Sequence, residues 1–239
     1  MYIMNRILLS ASALLLFTAA VSAQEAAHTY NVKVGDFTEL KVDDNINVVY
    51  SNNPDSVGMA RFVTAKNPDA VMFNNNKKGT LTIRVATDDV NKPYLPTVFV
   101  YSDFLQSVKN SADSTVRIVA MKPVPEFKLQ TSANGKIIAK TVEATTVSAQ
   151  INTGKGVIIL GGKCSEGQLK LIGTGEIQAD QLVCTNISCR MLGTGTIGCN
   201  VSGVLSIKGS GTGKVYYRGK PSEIKTSTLG PVKAIPMDE

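Results

Sequence analysis

The chain has 239 residues, 43% of them hydrophobic and 18% charged, with 20 glycines, no tryptophan, one histidine and a formal net charge of +6. That apolar content excludes a disordered chain, and the length suffices for one large β domain or two small ones. One histidine and four cysteines without a CxxC pair leave little material for a zinc site or a histidine-based nucleophile relay.

Residues 1–23 read as a secretory signal peptide. Arg6 gives a positive start, 7–20 is uncharged and mostly apolar, and Val21-Ser22-Ala23 offers small residues for cleavage before Gln24. The apolar stretch is shorter than the ~20 residues of a spanning helix, so no transmembrane anchor is expected. No cysteine follows it to carry a lipoprotein anchor at this site. The product is expected to be exported, to the periplasm or to the cell surface and extracellular space.

Residues 24–105 are expected to form an N-terminal β region. Alternating apolar and polar residues mark strands near 30–34, 37–42, 46–50, 57–63, 81–85 and 97–101. Turn residues at 52–55 and 74–79 separate them, and 91–96 reads as a surface loop. The alternation does not distinguish a separate sheet from irregular turns of a larger stack.

Residues 106–232 repeat. Gly135, Gly156, Gly175, Gly195 and Gly213 recur at spacings of 21, 19, 20 and 18, with Ser114 and Gly230 as degenerate copies. Two positions after these anchors stand Val116, Ile137, Ile158, Ile177, Ile197, Val215 and Val232. Six positions before them stand Val108, Leu129, Gln150, Leu169, Cys189, Ile207 and Ile224, and a one-residue shift would bring Ile151 inward for Gln150. The period is too short for a propeller blade and lacks the leucine-rich signature. The class is therefore all-β, with a parallel β-helix-like solenoid of about 20 residues per turn that is capped by the N-terminal β region. Residues 233–239 form a tail.

Charge is uneven. Residues 24–126 carry 11 basic against 12 acidic side chains, whereas 127–230 carry 12 against 5. The basic half nominates Lys136, Lys155, Lys170, Arg190, Lys208 and Lys214 as contacts for an anionic ligand, with scattered edge-blunting lysines as the plainer reading. Nucleic acid is disfavoured by export and by the lack of interleaved aromatics. Tyr216 and Tyr217 offer at most a small aromatic platform.

Four cysteines in an exported chain allow disulfides. Cys164 and Cys184 stand 11 residues before successive anchors, so they share a register in neighbouring turns, and a bridge between them is possible. Cys189 falls on an inward position, and its pairing with Cys199 is the weaker option. No catalytic residue, cofactor or metal site emerges. His28 lies beside the cleavage point, Asp43-Asp44 and Asp88-Asp89 read as solvated turn residues, and the acids of the repeats occupy different registers. The run 209–215 superficially matches a phosphate loop but has Lys208 and Val215 where that loop needs Gly and Ser or Thr.

The Gly-Thr-Gly-x-Ile series resembles the bacterial family "putative auto-transporter adhesin, head GIN domain", common in Bacteroidetes. Residues 35–42, 46–49, 79–83 and 96–100 agree with it, and the likeness spans roughly 30–232. The resemblance implies a right-handed solenoid at the cell envelope and an adhesin role, and it carries over no functional residues. Ser114, Asn134 and the cysteine content depart from it. The expectation is a non-enzymatic exported adhesin whose partner is a surface glycan, an anionic lipid or another envelope protein. The alternatives are a periplasmic binding module for an anionic glycan or lipid, and a polysaccharide-processing β-helix using Glu176 and Asp180.

Overall fold

The computed structural model describes residues 26–237 apart from Asn91 and Tyr94, so the signal segment lies outside the described residues. The fold is an all-β solenoid with roughly 20 residues per turn. In chain order the strands are β1 (His28–Lys33), β2 (Glu39–Val42), β3 (Val48–Ser51), β4 (Met59–Thr64), β5 (Val71–Asn75) and β6 (Thr80–Val85). Next come β7 (Val98–Tyr101), β8 (Ser107–Asn110), β9 (Thr115–Ala120) and β10 (Val124–Thr131). Three long strands come after these, β11 (Lys136–Ile151), β12 (Val157–Gly173) and β13 (Glu176–Gly193), each bending around corners of the solenoid. The chain finishes with β14 (Thr196–Val201), β15 (Val204–Gly211), β16 (Lys214–Arg218), β17 (Glu223–Leu229) and β18 (Lys233–Pro236).

Parallel ladders gather these strands into walls. The first wall stacks β6, β2, β8 and β10, then the C-terminal parts of β11, β12 and β13, then β15 and β17. The second stacks β7, β3 and β9, then the N-terminal parts of β11, β12 and β13, then β14, β16 and β18. A short third wall runs through the middles of the long strands, where Ala144, Cys164 and Cys184 share a register.

Alternation puts every second residue inside, and stacking turns each inward position into a column. Val98, Val48, Val116, Ile137, Ile158, Ile177, Ile197 and Val215 form one such column on the second wall, all fully buried. Burial of each large aliphatic contributes about 1.5–3 kcal/mol. The column ends on Ala234, not on Val232 as the spacing suggests, because Gly230, taken as the last anchor, falls two residues short of the register. On the first wall Val108, Leu129, Ala149, Leu169, Cys189 and Ile207 align. The residue that replaces Gln150 inward is therefore Ala149, while Ile151 belongs to the next column with Thr131 and Leu171. Ile224 pairs with Leu205, not Ile207.

The corners explain the paired glycines. Gly173, Gly193 and Gly211 have φ of 105°, 141° and 120°, a region that favours glycine. Gly175 is different: a Cβ there would sit 2.5 Å from the carbonyl oxygen of Gly156 in the turn before and 3.1 Å from Ile151. The second glycine supplies clearance; the first supplies conformation and, at Gly193 and Gly211, clearance as well, since a Cβ there would sit 2.2 Å from the carbonyl oxygen of the glycine one turn before. The weak corners are held by buried polar side chains. Asn110 Nδ2 donates to the Ser114 carbonyl at 2.8 Å, its Oδ1 accepts from the Ala112 amide, and Thr131 Oγ1 donates to the Gly135 carbonyl.

The described residues before β8 do two jobs. β2 and β3 form a solenoid turn, and the later β6–β7 turn stacks on its outer side, so the β2–β3 turn lies between β6–β7 and β8–β9. The open edge beyond is covered by antiparallel strands: β5 on β6, β4 on β7, and β1 on β4. This blunts an edge that would otherwise template pairing with another chain. β5 corrects the reading of 74–79 as a simple turn, since Asn74 and Asn75 belong to the strand and only the tight connection at Asn76–Gly79 turns.

Candidate functional site

The interior is filled, so the surfaces open to a partner are the outward columns. On the first wall one column runs Lys109, Gln130, Gln150, Lys170, Arg190, Lys208 and Ser227. Lys170, Arg190 and Lys208 are thus direct neighbours in three consecutive turns. Neighbouring turns are 4.8 Å apart between the Cα atoms of Cys164 and Cys184, the usual strand spacing. Like charges at that spacing repel, yet none of the three enters an ion pair among the described residues.

The other three basic residues named from the sequence go elsewhere. Lys136 and Lys214 share a column on the second wall but are separated there by Val157, Glu176 and Thr196. Lys155 sits in an exposed corner, with its amide on Asn134 Oδ1 at 3.2 Å. The sequence names all six as one scattered set; the shared register of Lys170, Arg190 and Lys208 emerges from the strand pairing.

The basic column has unlike neighbours on its own wall. Two residues toward the N-terminus along each strand run Ser148, Gln168, Ser188 and Ser206. Two residues beyond those lie Glu166 and Asn186, with Asn186 Nδ2 donating to the Glu166 carboxylate at 2.8 Å. On the other flank stand Ile172 and the 37%-exposed Leu192. The wall thus reads across as acid margin, hydroxyls and amides, cations, then apolar groups. A shallow depression of about 340 Å³ lies here, lined by Ser148, Gln150, Glu166, Gln168, Lys170 and Arg190 among others.

A larger open cavity of about 550 Å³ lies on the third wall between Pro123, Pro125, Glu143, Lys163 and Cys164. Its one carboxylate, Glu143, is paired with Lys163 at 3.0 Å. Cys164 and Cys184 are joined beside it across neighbouring turns. Cys189 and Cys199 are buried as free thiols; the hydrogen bond between them, reinforced by burial, holds Cys189 well above the usual thiol range. Such a thiol is a poor nucleophile at neutral pH.

Of Asp43, Asp44, Asp88 and Asp89, three are held by partners, while Asp88 is exposed as expected. Burial pushes the Asp43 carboxyl up, but Lys41 at 2.9 Å and Arg84 at 3.0 Å outweigh it and hold it below the usual range. Asp44 accepts from the Val85 amide at 2.9 Å, and Asp89 is buried and accepts from Asn67. Neither Asp43 nor Asp89 is therefore a solvated turn residue. Glu176 and Asp180 stand at the two ends of the second-wall segment of β13, with Asp180 taken up by Gln181 at 2.9 Å and Arg218 at 4.0 Å. Tyr216 and Tyr217 pair with Gly198 and Cys199 in adjacent columns, so they face opposite ways and make no shared platform; Tyr217 packs on the core.

A capped stack of about 20-residue turns with patterned outer walls defines a β-solenoid repeat protein whose outward columns are its exposed surface. The chain belongs to the family "putative auto-transporter adhesin, head GIN domain", whose profile matches residues 36–221. It is similar to a solved "putative adhesin" from Bacteroides fragilis at 20% identity and a TM-score of 0.78, covering 89% of this chain and 97% of that one. A second "putative adhesin", from Parabacteroides distasonis, aligns at 19% identity and a TM-score of 0.73 over 90% and 98%. A "putative lipid binding protein" from the same organism aligns at 17% and 0.70, also over 90% and 98%. At these identities the likeness carries the fold alone. No curated protein matches the chain.

Proposed function

We propose that the protein is a non-enzymatic, exported adhesin of the cell envelope that binds its partner through an outer wall of the solenoid. The observation that carries this reading is the first wall, where successive turns present their outward side chains in register, one strand spacing apart. Export rests on residues 1–23, with their basic start, short apolar core and small-residue cleavage point. No helix among the described residues is long and apolar enough to cross a membrane. The bridge between Cys164 and Cys184 suits an oxidising compartment.

The enzyme alternative is poorly supported by this geometry. Glycoside chemistry asks for two carboxylates facing one substrate, whereas Glu143 is ion-paired alone in the larger cavity and Asp180 is engaged by Arg218. The test is binding of the purified protein to an array of bacterial and host glycans and to immobilised envelope fractions. Saturable binding to at least one surface is expected. Absence of binding to every surface, or turnover of a polysaccharide without retention, would remove the adhesin reading.

A further inference from the structure

We infer that the first wall is a binding site for a linear anionic polysaccharide lying along the solenoid axis, its acid groups against Lys170, Arg190 and Lys208. This rests on the adhesin reading above and names the chemical class of its ligand. The three cations occupy one outward column in three consecutive turns, with no acidic partner among the described residues. Elsewhere on this wall Lys128 pairs with Glu126 at 2.8 Å, Lys225 with Glu223 at 3.0 Å and Lys41 with Asp43 at 2.9 Å, while Lys109 stands in the same column as the trio, beyond Gln130 and Gln150. The uncompensated charge is thereby confined to one strip.

The strip repeats by translation, and so does its neighbour. Ser148, Gln168, Ser188 and Ser206 advance one turn at a time beside Gln150, Lys170, Arg190 and Lys208. A ligand matching both columns needs a repeating unit that offers hydroxyls on one side and an acid on the other, which describes a chain of acidic sugars. The acid margin at Glu166 sets its orientation by repelling acid groups turned the wrong way. Duplex nucleic acid fits poorly, because its charges recur every ~1.7 Å along the axis and these outward columns carry no aromatic side chain for stacking. The depression of about 340 Å³ is shallow and open, suited to a polymer crossing it and not to an enclosed small molecule.

The experiment uses polygalacturonate as the probe, with dextran as a neutral polymer, poly-L-glutamate as a peptide polyanion and phosphatidylglycerol vesicles as an anionic membrane. The purified protein is expected to retain polygalacturonate, to ignore dextran, and to lose binding at 1 M salt, where charges are screened beyond about 3 Å. The triple variant Lys170→Gln, Arg190→Gln, Lys208→Gln should weaken that binding about tenfold, since exposed charges each contribute modestly. A charge-matched control, Lys136→Gln, Lys155→Gln, Lys214→Gln, should leave it nearly unchanged. All six sites lie on the surface or at its edge, and an unchanged melting curve checks folding. Equal loss in both variants, or equal or tighter binding to poly-L-glutamate or vesicles, overturns the assignment. No binding to polygalacturonate alongside retention on envelope fractions sinks this inference while leaving the adhesin reading intact; loss of both sinks both.

Discussion

At the scale of single residues, the repeat is written by two glycines with overlapping duties. Gly193 stands at a φ of 141°, and a Cβ there would also lie 2.2 Å from the Gly173 carbonyl oxygen, so both conformation and room require glycine. Gly175 stands where the backbone of the previous turn passes too close for a methyl group, with the Gly156 carbonyl oxygen 2.5 Å from the position of a Cβ. Gly175→Ala should therefore destabilise the protein by about 1–3 kcal/mol, the usual range for overpacking without room to relax. Gln178→Ala, on an outward and half-exposed position of the next strand, should stay within about 0.5 kcal/mol. Urea unfolding of both variants checks this, and equal effects would show that the corner has slack. Ala133 takes a φ of 59° where the next corner uses Gly154, so the left-handed conformation persists even where the sequence has lost its glycine.

At the scale of elements, the period was legible and the register was only partly so. The inward column from Val116 to Val215 follows from spacing alone because each member stands two residues after its serine or glycine anchor, whatever the length of the turn. Ala149 was hidden because alanine is a weak apolar signal beside Ile151, and Ala234 because Gly230, taken as the last anchor, falls two residues short of the register. β5 was illegible because asparagines end it, and asparagine argues for turns until a partner strand supplies its ladder bonds. Of the candidate site, the six basic residues could be named from the charge of the C-terminal half, but that three of them share one column depends on where the chain bends. The bridge between Cys164 and Cys184 joins two turns across a separation of 20 residues. Closing a loop of that size in the unfolded chain is worth about 3 kcal/mol in the chain-entropy treatment. Reduction, or the Cys164→Ala, Cys184→Ala pair, should lower stability by about that amount while Cys189 and Cys199 stay unreactive toward a thiol reagent in the folded protein, being fully buried. Thermal melts with and without reductant, together with a count of labelled thiols by mass spectrometry, decide it. Four labelled thiols under native reducing conditions would mean that the core opens around this bridge.

At the scale of the whole molecule, the two ends of the stack are built differently, and the difference has a mechanical consequence. The C-terminal end is left open among the described residues: Thr226 and Ala234 replace the large aliphatics at the ends of two inward columns, and β17 is exposed along most of its length, Ile224 and Leu229 included. The other end is closed by architecture, with antiparallel strands laid on a turn that is itself out of sequence order. A repeat array loses stability roughly in proportion when an end turn is removed, because each turn touches only its neighbours. Ending the chain after Pro221, which deletes β17 and β18, should leave a cooperative melt at a lower midpoint. Deleting residues 1–53 is another matter, since it extracts the β2–β3 turn from between its neighbours. The turn at β8–β9 would then lose the ladder to β2 and β3, and with it the side chains of Asn45 and Asn47 that accept from the amides of Asp113 and Thr115 at 2.9 Å. That variant should show no cooperative transition by circular dichroism and should be digested at protease levels that spare the C-terminal truncation. If it melts as sharply as the C-terminal truncation, the β6–β7 turn can dock directly on β8–β9, and the inserted turn is an addition to the stack, not a part on which its integrity depends.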